Sequence, residues 1–452
     1  MAKQNWSGWA IIFLLIFSTL YGVYLNKWGK NEIIVQDVIS YYAYLPGGIL
    51  FRDLNFGFLQ NPPEGFDGTI WLSEAPSGKP VLRMTMGLAL LWIPFFLAAH
   101  LAAHILGETT WGYSWPYAFS LFAAALFYLW VGLYYVRKIL LRYFPDWIAA
   151  GVLLILVVST NLLHFVVAEP GVTHVYSFSL ISAFLWLSIR WTEKPDFRDS
   201  AILGILAGLI VVIRPVNITV LAFPAFIGIT SFRGFFGRLV VCRRHILLAA
   251  LFALLMGLPQ MLYWKAQTGH FLFNSYLDQG KFYFNNPQII NGLFSFRKGW
   301  LIYTPVMFFS LAGLFFIRNQ AKELLLPIVL VLVLNIYIIF SWWCWWYGGG
   351  YGMRTMIDSY GFLALPFAAI LYRISKIRWM TLATLAVLFA LTGLNQFQMI
   401  QYRSSLLHWD SMTGKAYKAI FLKRRWPPDY LDLISIPDYT KALHGEKEYN
   451  PK

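Results

Sequence analysis

The chain has 452 residues, 58% of them hydrophobic and 19% aromatic, with only 13% charged. A soluble domain carries more charge, and apolar runs this long and numerous exclude one. The net charge of +15 fits lysine and arginine gathered in loops on one side of a membrane and is weak support for a nucleic-acid partner. Two cysteines, Cys242 and Cys344, without a Cys-x-x-Cys pair argue against a disulfide framework or a thiolate metal centre.

In chain order, apolar runs predict helices near 9–25, 84–106, 115–136, 147–167, 173–189, 200–213, 216–231, 246–263, 301–317, 324–342, 357–372 and 379–397. A bilayer crossing takes about 20 apolar residues. The start, Met1-Ala2-Lys3-Gln4-Asn5-Trp6, looks like the opening of a signal peptide, but no small-residue cleavage site follows Leu25. It reads as an uncleaved anchor. Five basic clusters follow: Arg137/Lys138/Arg142, Arg190/Lys194/Arg198, Arg233/Arg238/Arg243/Arg244, Arg318/Lys322 and Arg373/Lys376/Arg378. Consecutive clusters are separated by two runs each, so the positive-inside rule places all five on the cytoplasmic side. With Met1 inside, the chain must cross an odd number of times between Asp37 and Arg137, yet two runs intervene. The run 84–106, with Pro94 and the pair His100 and His104, is expected to lie along the surface or re-enter instead of spanning. The expectation is an all-α polytopic membrane protein with about eleven transmembrane helices. Residues 1–397 form the membrane domain, and a long first outer loop (26–114) carries juxtamembrane helices. The polar tail 398–452 lies outside.

This topology gathers the unusual polar residues on the outer side, while the expected spans are almost free of charge. A transporter more often carries ionisable groups at mid-membrane. Asp37 stands among tyrosines just past the first span, where a carboxylate can ionise and still reach the head group of a lipid-linked substrate; the plain alternative is a solvated loop aspartate. The same loop carries Arg52, Asp53, Glu64, Asp67, Glu74, Lys79 and Arg83. Lys79 and Arg83 are candidates for a phosphate, against ordinary solvated cations. Glu169, in Ala168-Glu169-Pro170-Gly171-Val172-Thr173-His174, sits in a tight outer turn. With His174 it can assist a base or hold a divalent cation, or serve as a helix cap beside an interfacial histidine. His100 and His104, four residues apart, read as a polar stripe more readily than as metal ligands. The run Trp342-Trp343-Cys344-Trp345-Trp346-Tyr347-Gly348-Gly349-Gly350-Tyr351-Gly352-Met353-Arg354 exceeds what an aromatic belt needs, since anchoring requires no glycines. Tyr347 can stack on a sugar or prenyl group, and Arg354 can fork onto a phosphate. Arg297 and Lys298, adjacent on the outer side, are second phosphate candidates or contacts to anionic lipid. Arg214, beside Pro215, has the same ambiguity.

These residues resemble the GT-C superfamily of membrane glycosyltransferases, which includes lipid A aminoarabinose transferases and protein O-mannosyltransferases. Asp37 matches the acidic residue that family carries in its first outer loop, and Glu169 matches the second acidic residue of the next outer loop. Lys79-Pro80-Val81-Leu82 stands where the family has a Lys-Pro-Pro-Leu type motif before a surface helix, with the second proline missing. The Trp-Trp-Tyr-Gly-Gly-Gly-Tyr-Gly-Met-Arg run and the stretch from Phe294 to Pro305 are similar to segments of uncharacterised bacterial members. The paired acidic motif of the first loop is absent, since Val38 follows Asp37, so a divalent cation is left open.

The resemblance implies a bacterial inner-membrane enzyme with its active site and C-terminus on the outer, periplasmic side and its N-terminus in the cytoplasm. It would transfer a sugar from a polyprenyl-phosphate donor, with inversion, to a lipid, glycan or protein acceptor. Asp37 and Glu169 are the expected catalytic residues. Lys79, Arg83, His174, Arg214, Arg297, Lys298, Tyr347 and Arg354 are the expected substrate and phosphate contacts. Membrane lipids are the other expected partner, and no nucleic acid is expected. The rival readings are a carrier or flippase of a lipid-linked glycan and a scaffold with a vestigial site.

Overall fold

The computed structural model describes residues 5–63, 66 and 68–446. Glu64 and Asp67, two of the loop carboxylates considered above, lie outside the described residues. The described chain is helical apart from one two-stranded hairpin. Helix α1 (Trp6–Leu25) ends on Asn26, whose left-handed backbone (φ 47°) returns its N–H to the Gly22 carbonyl. The loop beyond opens with α2 (Asp37–Tyr42), forms antiparallel strands β1 (Leu72–Glu74) and β2 (Pro80–Leu82) with Ser73 opposite Val81, and runs into α3 (Gly87–Leu106). Then come α4 (Trp115–Tyr143), α5 (Asp146–Val158), α6 (Leu162–Val167), α7 (His174–Glu193) and α8 (Phe197–Ile213). A 3-10 turn (Pro215–Leu221) leads to α9 (Ala222–Phe226), followed by α10 (Phe232–Val241) and α11 (Arg243–Thr268). After an irregular stretch stand α12 (Ile289–Phe294), α13 (Trp300–Tyr303), α14 (Met307–Gly313) and α15 (Lys322–Ser341). A second 3-10 turn (Arg354–Ser359) enters α16 (Tyr360–Ile374), and α17 (Arg378–Arg403) follows. The tail holds α18 (Gly414–Ile420), α19 (Tyr430–Leu433) and α20 (Tyr439–Leu443).

Among the described residues, seven helical stretches are long and apolar enough to cross a membrane: α1, α3, α4, α11, α15, 354–374 and α17. The expectation of an all-α polytopic membrane protein holds. Six of those seven are among the eleven expected spans. The other five expected spans are broken, shorter or more polar: α5 with α6, α7, α8, 215–226, and α13 with α14. The break between α5 and α6 falls at Ser159-Thr160-Asn161. There the Thr160 hydroxyl donates to the Leu156 carbonyl (2.6 Å), and Asn161 accepts from the Tyr360 hydroxyl (2.8 Å). Such side-chain partners satisfy polar groups that hydrocarbon cannot.

Helix α3, expected to lie along the surface or re-enter, is long and apolar enough to cross a membrane, and it is held by contacts near both ends. Gly87 abuts the backbone of Ile213 at the end of α8. Beyond its other end, the Gly112 carbonyl accepts from the hydroxyl of Tyr42 in α2. Between them Phe96 packs on Tyr117 at 5.2 Å, and His100 Nδ1 lies 2.6 Å from the Tyr117 hydroxyl. Helix α3 therefore lines the loop that carries Asp37. Two further elements had no counterpart in the sequence reading. The β hairpin puts Val81 and Leu82 in the core and is tied to the end of α11, where the Tyr263 hydroxyl accepts from the Leu82 N–H at 2.9 Å. Helix α10, capped by Ser231 Oγ on the Gly234 N–H (3.1 Å), exposes Phe232, Phe236, Val240 and Val241 beside Arg233. That is the pattern of a helix lying along a membrane surface.

Helices α8 and α11 run parallel with their backbones close together. A Cβ on Gly204 would stand 2.2 Å from the Ala249 carbonyl oxygen, and one on Gly208 2.5 Å from that of Ala253. This is small-residue packing of the kind that holds membrane helices together without a hydrophobic driving force. It also fixes Arg214, one residue past the end of α8. Gly208→Leu is expected to cost about 1–3 kcal/mol, the range for overpacking. An unchanged thermal midpoint of the detergent-solubilised variant would refute this account of the contact.

Candidate functional site

Asp37 is the first residue of α2, and a carboxylate suits the first turn of a helix. The side chain is about one-third exposed. Val38, next to it, packs against Gly171, two residues past Glu169; a Cβ at 171 would stand 2.2 Å from Val38 Cγ1. Glycine is needed there for the turn carrying Glu169 to approach α2. Opposite Asp37, Arg354 opens the 3-10 turn before α16. Its Nη2 donates to Asp37 Oδ2 (3.2 Å) and to the Tyr347 carbonyl (2.8 Å).

The glycine-rich turn sets the position of Arg354. Tyr347, Gly348, Gly350 and Gly352 all have positive φ: 58°, 62°, 141° and 60°. Glycines adopt these values freely, whereas at Tyr347 the left-handed backbone is strained. The Tyr347 ring lies 5.9 Å from the Arg214 guanidinium, and its hydroxyl donates to the Ile339 carbonyl (2.8 Å). A Cβ on Gly350 would stand 3.1 Å from Arg354 Cδ, so the arginine stem lies across that glycine. Lys298, buried, donates from Nζ to the Gly350 carbonyl. Burial pushes its ammonium down to about 7, with the Arg354 charge adding to the effect and Glu169 and Asp410 opposing it.

One helical turn beyond Arg354, Asp358 is fully buried. Its Oδ1 lies 3.0 Å from His174 Nδ1, and its Oδ2 accepts from Arg214 Nη1 (2.8 Å) and Asn217 Nδ2 (2.9 Å). Glu169 is 3.0 Å from His164 Nε2. Burial alone would raise the Glu169 carboxyl. The His164 hydrogen bond and the charges of His164, Arg354 and Lys27 more than reverse this and hold it at about 2. Two phenols report the same gathering of charge. Burial pushes Tyr276 up to about 12, with Asp37 adding and Arg214, Arg354 and Arg83 opposing. Tyr41 is pushed well up by burial, Tyr276 and Asp37 against the same Arg214 and Arg354.

The structure thus brings together Asp37, Glu169, His174, Arg214, Lys298, Tyr347 and Arg354. It adds Asp358, His164, Asn217, Tyr41 and Tyr276, which the sequence reading did not assign. An acidic residue inside the apolar run 357–372, and a histidine five residues before Glu169 in the run 147–167, were the available signals. Arg83 stands at the edge, bonded to Gln279 Oε1 (3.0 Å) and lying over Trp71. Lys79, in the hairpin turn, donates to the Ala266 carbonyl at 3.2 Å and is not part of the cluster. Arg297 departs from the expected phosphate contact. It is buried and donates to the Asp410 (2.6 Å) and Ser435 (3.3 Å) carbonyls of the tail, with its guanidinium 5.7 Å from the Trp346 ring. His104 is exposed and His100 is engaged by Tyr117, so the two do not converge on a ligand.

A divalent cation does not fit the donors as they stand. Among the described residues no three His, Cys, Asp or Glu side chains gather around one point. Asp37 faces an arginine and Glu169 is hydrogen-bonded to a histidine, so each carboxylate already has a partner within the protein.

The chain matches no protein-family model and no curated protein. Its fold is similar to that of an Archaeoglobus fulgidus oligosaccharyltransferase crystallised in the apo form. The TM-score is 0.51 at 14% identity over 95% of this chain and 59% of the other. The chain thus spans about three-fifths of that enzyme's length. At this identity the likeness is one of fold, an all-α membrane architecture.

Because Glu169 is held below its ordinary 4.5, the stability it contributes is complete above pH 4.5 and is lost as pH falls towards 2. Glu169→Gln should flatten the acid limb of the stability profile in that window. Parallel profiles for the two proteins would count against the His164 and Arg354 environment.

Proposed function

We propose that the chain is a membrane glycosyltransferase. It transfers a sugar from a polyprenyl-phosphate donor to an acceptor hydroxyl on the outer face of a bacterial inner membrane, with the acceptor a lipid, glycan or protein. The observation that carries this reading is the Asp37–Arg354 pair at 3.2 Å. An acid and a forked cation, 317 residues apart in sequence, face each other among the loops that join the apolar helices. The fold likeness to an oligosaccharyltransferase supports the same class of chemistry.

In the resting protein Arg354 neutralises Asp37. A donor phosphate competes for the guanidinium, which binds it as a fork, and this frees the carboxylate. The acceptor oxygen then attacks the anomeric carbon from the face opposite the phosphate, and its proton passes to Asp37. The anomeric carbon–oxygen bond breaks and its electron pair stays on the leaving phosphate. Arg354 and Arg214 stabilise the charge that develops there. One displacement inverts the anomeric configuration. Asp358, His174 and Asn217 hold Arg214, while Glu169 and Lys298 shape the field around Arg354. Arg83 and Lys79 lie further out, on the approach side. Tyr41, Tyr276 and Tyr347 offer faces to a sugar or prenyl group.

Asp37→Asn keeps the shape and removes the proton acceptor. Activity with defined polyprenyl-phosphate sugars should fall by about 10²–10⁴-fold, the range for a general base, with the size-exclusion profile unchanged. Near wild-type turnover by that variant would remove Asp37 from the mechanism. No transfer by the wild-type protein to any acceptor class would favour a carrier instead.

A further inference from the structure

The tail contains one segment that neither the fold nor the site uses. Phe421-Leu422-Lys423-Arg424-Arg425-Trp426 exposes all six side chains, with Leu422 60% and Trp426 55% exposed. Three cations stand between three large apolar groups. None of the cations is ion-paired among the described residues; Arg424 rests on an aromatic ring instead.

The placement of this segment is informative. The Gln401 side-chain amide, in the last turn of α17, donates to the carbonyls of Ile420 (2.8 Å) and Lys423 (2.7 Å). The Arg424 guanidinium lies 6.0 Å from the ring of Phe397. Phe397 is six residues before the end of α17, about 9 Å back along the helix at about 1.5 Å per residue. The segment therefore folds back beside the span. Helix α17 buries little of itself and exposes Leu382, Leu385, Phe389 and Ile400, the surface of a helix facing lipid. Its end also adjoins the end of α1, where Arg403 lies 5.1 Å from the Tyr21 ring. Helix α1 leads directly into the Asp37 loop, so the segment sits at the bilayer boundary on the side of the candidate site.

We infer that 421–426 is a lipid-contact surface. Phe421, Leu422 and Trp426 enter the head-group and acyl boundary, and Lys423, Arg424 and Arg425 bind the phosphates of anionic phospholipids. Long basic side chains beside an interfacial tryptophan are suited to that depth, because their stems pack on apolar surface while their charges reach phosphate. The cations lie on the side that the positive-inside trend leaves poor in lysine and arginine, so general topology does not account for them. The surface holds the tail against the bundle and is independent of the reaction proposed above.

The test uses the full chain with Cys242→Ser and Cys344→Ser, reconstituted in phosphatidylcholine vesicles with and without phosphatidylglycerol. A nitroxide is placed by Leu422→Cys or, as a control at an exposed position of α18, by Lys415→Cys. The label at 422 should be reached by oxygen in preference to a water-soluble nickel chelate, and the one at 415 the reverse. Phosphatidylglycerol should deepen the label at 422, and Lys423→Gln/Arg424→Gln/Arg425→Gln should abolish that response without altering the size-exclusion profile. A label at 422 as open to water as that at 415 overturns the inference. So does an immersion that ignores phosphatidylglycerol, or a response that survives in the triple variant.

Discussion

Ionisable groups at the end of an apolar bundle must find partners close by, and this requirement organises the candidate site. A buried charge without a partner costs several kcal/mol, so each carboxylate here is met by a cation or a histidine. The segment 347–358 supplies most of the solution. Arg354 answers Asp37, and Asp358, one turn later, receives Arg214, His174 and Asn217. A single short turn therefore joins the first loop, the Glu169 turn, the start of α7 and the end of α8.

Backbone strain is concentrated in that same turn. Tyr347 is the one non-glycine residue with positive φ between 340 and 360. Both arginines hold it, Arg354 through its carbonyl and Arg214 across its ring. A shift of either guanidinium is felt by the other through one residue. Lys298 braces the turn from behind at Gly350, and Arg297 beside it faces away into the tail. The two adjacent cations thus have different hydrogen-bond acceptors, Gly350 for Lys298 and the tail carbonyls for Arg297.

Much of the frame was legible in the amino-acid sequence. Apolar run lengths mark the helical segments, because bilayer thickness acts on local composition. Asp37, Glu169 and Arg354 stand out because charge beside hydrocarbon is rare. Their meeting was not legible, since Arg354 comes to Asp37 only through the packing of distant helices. Asp358, one helical turn past Arg354, carries no assigned role in the sequence, although the rarity of an acid in an apolar run is a signal. Arg297 was read as a phosphate clamp from its neighbour and its side of the membrane, and the tail carbonyls that take its hydrogen bonds follow no periodic pattern. The interruptions at Ser159-Thr160-Asn161 and at Pro215 likewise depend on tertiary partners that a hydropathy window averages away.

The position of Arg297 bears on the order in which the protein is assembled. Two of its carbonyl partners, Asp410 and Ser435, belong to the last part of the described chain to be synthesised. The helices that carry Asp37, Glu169 and Arg354 enter the membrane earlier, with this guanidinium still waiting for its ligands. Completion of the packing around Arg297 is therefore tied to arrival of the tail. A nascent chain held before residue 410 would have its spans in place and Arg297 without these two acceptors.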